Sequence, residues 1–328
     1  MEAKSIVKKR GRLPLILCII FLLQTTSGCR FISRGRTDGA FEVPIGLSGS
    51  LQNPAWSPDG NRLVFTRFRN GYNSGSADLY IVEMNTWVVR AFVTDGAMNV
   101  NLPGSAWKAT SPTDDWIAYS RDKESHDEIF VQPSADTNSG EIQVTERANN
   151  VAYEPSFSPS ADWIVFESHR DGDSGNGVIF KTGRAVPGIY IQLTPSGRDC
   201  RQPNWSPEPS VDLILYQQLE GSRWSLWTMT SYGGYKRKIT PDTEDCTDAS
   251  FSPDGTEVVM STSHNTLRYD NLYRMPATGG EMTRVTFYDN GYDGAPSWSP
   301  DGASIAFESC ERTPEEAGRT SIWIINLN

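Results

Sequence analysis

The sequence is short of the groups that most catalytic centres need. Three histidines occur in 328 residues: His126, His169 and His264. Each falls in a polar turn of a different repeat unit, so they are expected to be spread around the molecule. That spread argues against a histidine metal site or general base. Cysteine is scarce too, with five in all, and none outside the first 29 residues has a histidine near it to activate a thiolate. No G-x-S-x-G elbow occurs, which argues against a serine hydrolase of that type. Beyond residue 29 there is neither a second long apolar run nor an amphipathic helical pattern of useful length. Basic charge is also in deficit. Lys plus Arg number 30 against 40 Asp plus Glu, a net charge of −10, and such a surface repels a phosphate backbone. Nucleic acid is therefore an unsuitable partner.

The basic residues that exist are concentrated at the start. Lys4, Lys8, Lys9, Arg10 and Arg12 precede the apolar stretch Leu13 to Leu23, LPLILCIIFLL, which is too short to span a bilayer comfortably. A basic head, a short apolar core and small residues form an export signal. It ends in TTSGC, with Ser27 and Gly28 before Cys29. This pattern resembles the bacterial lipoprotein signal, in which the cysteine is acylated and becomes the new N-terminus, although Thr26 stands where Leu is usual. Removing residues 1–28 takes away those five basic residues and Glu2, leaving 25 basic against 39 acidic residues, a net of −14. The expected organisation is a signal at 1–28, a linker at 29–39 after lipidated Cys29, and one domain at 40–328.

That domain repeats itself. PAWSPDGNRLVFTR begins at Pro54, PSFSPSADWIVFES at Pro155, ASFSPDGTEVVMST at Ala249 and PSWSPDGASIAFES at Pro296, with looser copies at Ser105 and Pro203. Aligned on Trp56, Trp107, Phe157, Trp205, Phe251 and Trp298, the units are 51, 50, 48, 46 and 47 residues apart. A period near 50 in a strand-rich pattern is that of propeller blades. In SPDG, proline presets φ and glycine accepts a positive φ, closing a tight hairpin between two strands. A third strand such as DLYIVEM follows, then a fourth ending in an apolar residue plus threonine: Val93-Thr94, Val144-Thr145, Leu193-Thr194, Ile239-Thr240 and Val285-Thr286. The fold class is thus all-β, a six-bladed β-propeller of four-stranded antiparallel blades.

The sixth unit stops at SIWIINLN, without a fourth strand. The missing strand is at the other end of the domain, where Val43-Pro44 precede Trp56 in place of the apolar-Thr pair. The N-terminal strand is expected to complete the last blade, since an open ring would leave a bare strand edge. The aromatic of each unit is expected to pack between neighbouring blades rather than to stack on a ligand.

WSPDG with a following IAF-type strand, SRD or HRDG after it, and a strand like LYIV resembles the TolB-type propeller repeat (the PD40, or WD40-like, repeat). It is also similar to the propellers of dipeptidyl-peptidase-like and acylaminoacyl-peptidase-like proteins. The likeness runs from about residue 40 to 328. TolB carries an α/β domain before its propeller and works with the lipoprotein Pal, whereas only a short linker is expected after Cys29 here. The peptidase relatives add an α/β-hydrolase domain. Propeller polysaccharide lyases share the architecture but rely on clustered histidines and a metal.

In such a ring, the loops from each fourth strand to the next blade converge on the mouth of the central channel. They carry Asn53, Glu154, Asp199, Arg201, Gln202, Asp245, Asp248, Asp289 and Asp293, the candidate binding rim. Its acidity suits a basic partner segment or a bound cation; no cofactor and no dedicated metal site is indicated. Asp171 to Gly177, DGDSGNG, partly matches a calcium loop but has Gly175 at a ligand position and no closing acid. Cys200 and Cys246 occupy equivalent places, five residues before their units' aromatics. An oxidising compartment permits a disulfide there, but a sixfold ring commonly spaces such points beyond the roughly 4.4–6.8 Å that Cα atoms tolerate. Cys310 stands alone.

The reading that follows is a monomeric, non-catalytic, lipid-anchored protein of the bacterial cell envelope, exported to the periplasm or cell surface, that binds an envelope protein through its propeller. The alternative is a propeller that binds or degrades polysaccharide with carboxylates at the channel mouth. A third version, a TolB equivalent, implies copurification with Pal.

Overall fold

The computed structural model describes residues 36–94, 100–101, 106–111, 114–123, 126–135, 140–147, 150–170, 175–264 and 267–327. Six antiparallel sheets make up the fold. Blade one comprises Ser50–Trp56, Arg62–Phe68, Ala77–Glu83 and Val89–Val93. Blades three, four and five repeat this order from Asn150, Cys200 and Cys246. In blade two the first strand is in two pieces, Val100–Asn101 and Trp107–Ser111, both paired with Asp114–Lys123. Blade six takes three strands from the end of the chain, Gly291–Trp298, Ser304–Glu311 and Ser321–Asn326, and its fourth from Phe41–Glu42.

This shared strand closes the ring. Phe41 pairs with Ile324 and Glu42 with Trp323. One residue on, the Val43 amide donates to the Ile322 carbonyl at 2.9 Å. The same bond recurs where each fourth strand leaves its blade: Val144 to Ile129, Leu193 to Ile179, Ile239 to Leu226 and Val285 to Leu272. The threonine after each of these accepts, through Oγ1, from the third-strand amide at 2.8–3.0 Å in Thr145, Thr194, Thr240 and Thr286. The apolar-Thr pair therefore marks where a blade ends and its last amide is satisfied by a side chain. Val43 fills that place in blade six.

The SPDG words act as hydrogen-bonded turns. In blade one Ser57 Oγ donates to Asp59 at 2.5 Å, Asp59 accepts from the Asn61 amide, and Ser57 Oγ accepts from the Arg62 amide. Ser252-Asp254 and Ser299-Asp301 repeat the pattern. Gly60, Gly255 and Gly302 take φ of 72°, 68° and 71°. Blade three has Ala161 in that place with a φ of 60°, a conformation glycine adopts more cheaply.

Each aromatic of the repeat packs on the preceding blade. Trp107 lies with Val64, Leu79 and Ile81 of blade one, Trp205 with Val165, Ile179 and Leu193 of blade three, and Trp298 with Val259, Leu272 and Val285 of blade five. Trp56 joins Ala306, Ile322 and Ile324 of blade six, across the closure. The apolar core is thus a set of seams between blades, and the aromatics are its interlocking members.

A clamp outside the strands reinforces the closing seam. Arg36 is buried and donates to both Asp293 oxygens at 2.6 and 2.9 Å and to Asp38 at 2.7 Å. Its guanidinium lies over the rings of Tyr288, Trp323 and Phe307. Asp38 in turn accepts from the amides of Ala40 and Phe287. The segment just before the first strand is thereby fixed to blade six.

Candidate functional site

The inner strand is interrupted at one place in blades one, three, four, five and six. Pairing skips from Gln52 to Ala55, Tyr153 to Ser156, Arg201 to Asn204, Thr247 to Ser250 and Gly294 to Ser297. The bulged residues, Asn53, Glu154, Gln202, Asp248 and Ala295, all have left-handed φ between 47° and 53°. A non-glycine residue pays for that conformation, and bulges commonly re-aim a side chain. Proline follows in four of the five, where the interrupted ladder asks for no N–H donor. These residues ring the central channel and enclose a cavity of about 40 Å³.

Of the candidate rim, then, Asn53, Glu154, Gln202 and Asp248 come together. The Gln202 and Asp248 side chain and backbone pair reciprocally, Nε2 to Oδ1 at 2.8 Å and Asp248 N to Oε1 at 3.1 Å. The other five are elsewhere. Asp199 and Arg201 pair with each other at 2.8 Å. Asp245 accepts from the Trp224 amide, and Asp289 pairs with Arg284 near the surface. Asp293 is not at the rim: it is fully buried in the Arg36 clamp.

Two residues that belong to the site escape a reading based on loops. Glu167 and Glu308 lie on second strands, one place after Phe166 and Phe307. Glu167 accepts from the Gln202 amide at 2.7 Å and Glu308 from the Asn53 amide at 3.3 Å, each on the bulge of the next blade. Their signal in the sequence is the word FES, found in blades three and six, which stand opposite in a six-membered ring. Glu308 also accepts from the hydroxyls of Tyr72 and Tyr292.

The site is electrostatically unbalanced. No basic side chain lines the cavity among the described residues. Burial raises Glu154 to about 8, with Glu167 and Asp248 adding to the effect. Burial likewise raises Glu308 to about 8, with Asp248 contributing, and Glu167 to about 7. Asp270 is pushed up to about 6 by burial and by Asp248 and Asp245. Asp248 itself is raised by burial. Glu154, Glu167 and Glu308 are thus carboxyls poised to exchange protons near neutral pH, a property concentrated at functional sites.

The opposite end of the channel is built differently. There Trp56, Trp107, Phe157, Trp205, Phe251 and Trp298 border a chamber of about 410 Å³, together with the prolines of the hairpin turns. Among the described residues no group of His, Cys, Asp or Glu is arranged to hold a metal ion. His126, His169 and His264 stay in separate blades, beside Glu128, Glu167 and Glu244. Asp171 to Ser174 of the calcium-like loop lie outside the described residues. Cys200 and Cys246 are free, buried thiols, so the disulfide that an oxidising compartment would permit is not formed. The Cys200 Sγ instead donates to Gln218 Oε1 at 3.7 Å.

Residues 36–250 match the TolB beta propeller domain. The chain belongs to that family. Among solved structures, a TolB-type protein from Agrobacterium tumefaciens is 15% identical with a TM-score of 0.59, over 88% of this chain and 97% of that one. Oligogalacturonate lyase from Vibrio parahaemolyticus is 11% identical with a TM-score of 0.56, over 88% and 93%. The alpha-L-arabinanase of Penicillium chrysogenum, complexed with arabinobiose, is 13% identical with a TM-score of 0.53, over 87% and 96%. At such identities these likenesses establish the fold alone. They do correct one expectation. A TolB-family propeller without a serine elbow or clustered histidines reads as non-catalytic, yet chains that share the fold over nearly their whole lengths are a lyase and an arabinanase. The missing motifs do not exclude catalysis.

Proposed function

We propose that this member of the TolB propeller family is exported, held to a membrane through lipid on Cys29, and recognises an envelope protein by admitting a basic side chain of that partner into the acidic channel mouth. One observation carries the reading: Glu154 and Asp248 line one narrow opening that has no basic side chain in its lining, and Glu167 and Glu308 are buried against the bulges that frame it. A cavity of about 40 Å³ suits one ammonium or guanidinium group. A sugar ring needs far more, since small-molecule pockets run from about 300 Å³ upwards. A cation would restore the ionised form of carboxyls that burial now disfavours.

The test is crosslinking and recovery of partners from native membranes. Combined Glu154→Gln and Asp248→Asn should cut recovery at least about tenfold, while Asp245→Asn, off the cavity, should leave it unchanged. Equal recovery from all three proteins would overturn the reading. Mass spectrometry of the mature N-terminus tests the anchor, with a diacylated or triacylated cysteine as the expected species.

A second reading has its own support. Glu154 and Glu167, on paired strands of blade three and raised to about 8 and 7, suit general acid–base work on an oligosaccharide presented at the acidic mouth. Product formation from acidic or neutral oligosaccharides, abolished by Glu154→Gln, would favour it over partner binding.

A further inference from the structure

The described surface exposes eight large hydrophobic residues, and five of them are in one place: Val186, Ile189 and Ile191 of blade three, and Tyr232 and Tyr235 of blade four. They occupy the turns between third and fourth strands of adjacent blades and, for Ile191, the fourth strand that follows. The blade-four turn packs on blade three. A Cβ on Gly233 would meet the Leu193 carbonyl oxygen at 2.8 Å, so the blade-four turn lies directly on blade three. Lys181, which pairs with Ile191 across its sheet, sits 4.5 Å from the centre of the Tyr232 ring. Lys181 therefore joins Ile191 of blade three to Tyr232 of blade four, and the exposed apolar residues lie on adjoining segments of the two blades.

Its charge is opposite to that of the protein. Lys181, Arg184, Lys236 and Arg237 belong to these turns, and neither Lys181 to Gln192 nor Ser231 to Lys238 contains an acidic residue, in a chain of net charge −10. Asp212 reaches the base of the blade-four turn, where it accepts from the Ser231 amide.

Architecture does not require this composition. Blade five has the same turn, with Gly279 lying on the Ile239 carbonyl as Gly233 lies on Leu193. Its sequence, however, is ATGGEMTR where blade four has SYGGYKRK. Threonine and glutamate stand where blade four has its two tyrosines, and Met and Thr stand in place of Lys236 and Arg237. The glycines serve the turn; the tyrosines and the basic pair serve something outside it.

We infer that the blade three–blade four turns form a docking surface for an anionic phospholipid bilayer. Tyr232 and Tyr235 are 84% and 91% exposed, which places them on projecting tips rather than in a recess. A rigid partner would need matched pockets for such tips, whereas a bilayer interface accommodates them. Tyrosine and aliphatic side chains flanked by Lys and Arg are the composition that settles at headgroup depth. Each basic side chain adds attraction to an anionic leaflet. The surface is independent of the channel mouth: it lies at the third-to-fourth-strand turns, while the mouth and the Arg36 clamp lie at the opposite ends of the strands.

Sedimentation with vesicles tests this, using the chain from residue 36 onward, which contains every strand of the closed ring. Vesicles of phosphatidylcholine with about one-third phosphatidylglycerol should bind the protein at least about tenfold better than phosphatidylcholine alone. Lys236→Glu with Arg237→Glu should lower that binding by about 30-fold or more, and Tyr232→Ser with Tyr235→Ser by about tenfold. Arg268→Glu with Arg312→Glu, the same charge change on the mouth face, should leave it intact. All six positions are exposed, so circular dichroism and the melting temperature should be unaltered. Three results would each overturn the inference: no preference for the anionic vesicles, an equal loss in the Arg268–Arg312 control, or self-association in place of vesicle binding.

Discussion

The two ends of the channel are lined by neighbouring residues of the same six strands, yet they are made on opposite terms. At the aromatic end, Trp, Phe and Pro side chains interlock successive blades and are mostly buried. At the acidic end, five equivalent residues hold left-handed backbone, and the cavity they border is lined by the carboxyls of Glu154 and Asp248 with no basic side chain. Three residues separate Asp248 from Phe251, or Glu154 from Phe157. Within that distance the strand passes from a segment that stabilises the fold to one that is tolerated by it. Such a local conflict with folding rules is where function is expected.

The comparison can be broken most severely at the aromatic end. Trp298→Ala should cost about 3–5 kcal/mol, measured by denaturant unfolding, because Trp298 closes the seam to blade five. Molecules that remain folded should keep an unchanged channel mouth. A variant of wild-type stability would mean that the rings are not the interlocking element.

A similar loss is expected from one carboxylate near the acidic end that differs from the others. Asp293 is fully paired, so Asp293→Ala should cost about 3 kcal/mol by leaving the buried Arg36 guanidinium with Asp38 as its one carboxylate. Removing the whole cluster, Arg36→Met with Asp38→Asn and Asp293→Leu, should restore much of that stability. Recovery in the triple variant would separate a structural carboxylate from the carboxyls around Asp248.

The contrast can also be sharpened by pH. Glu154 and Glu308 have folded pKa values of about 8, above the ordinary 4.5. The folded state therefore retains protons that the unfolded chain has released. The contribution of these groups is complete below pH 4.5 and is lost as pH rises towards 8. The melting temperature should fall across that interval, and Glu154→Gln with Glu308→Gln should flatten the fall. A double variant as sensitive as the wild type would show that other groups govern it.

Much of the fold was legible in the sequence because each blade announces itself. The turns carry serine, proline or aspartate cues, and the fourth strands of blades two to five each carry a threonine with a specific amide to satisfy. The closure was legible because one strand was missing from the tally at one end and Val43 stood unexplained at the other. The site was only partly legible. Asn53, Glu154, Gln202 and Asp248 are equivalent by position and so could be found by counting. Asp293 looks like another rim acid, and only the distant Arg36 makes it a core residue. Glu167 and Glu308 occupy strand positions that in other blades hold threonine, serine or glutamine. Their burial depends on the neighbouring blade, which no local pattern reports.

The strand shared between Phe41 and Ile324 also governs when this protein can finish folding. The first strand after the clamp has no partner until almost the last residue has been made, so the ring cannot seal early. Contacts so distant along the chain form slowly. Until Ser321–Asn326 is in place, the strand at Phe41–Glu42 and the seam around Trp323 stay exposed together, so the two ends of the ring become protected in a single late event.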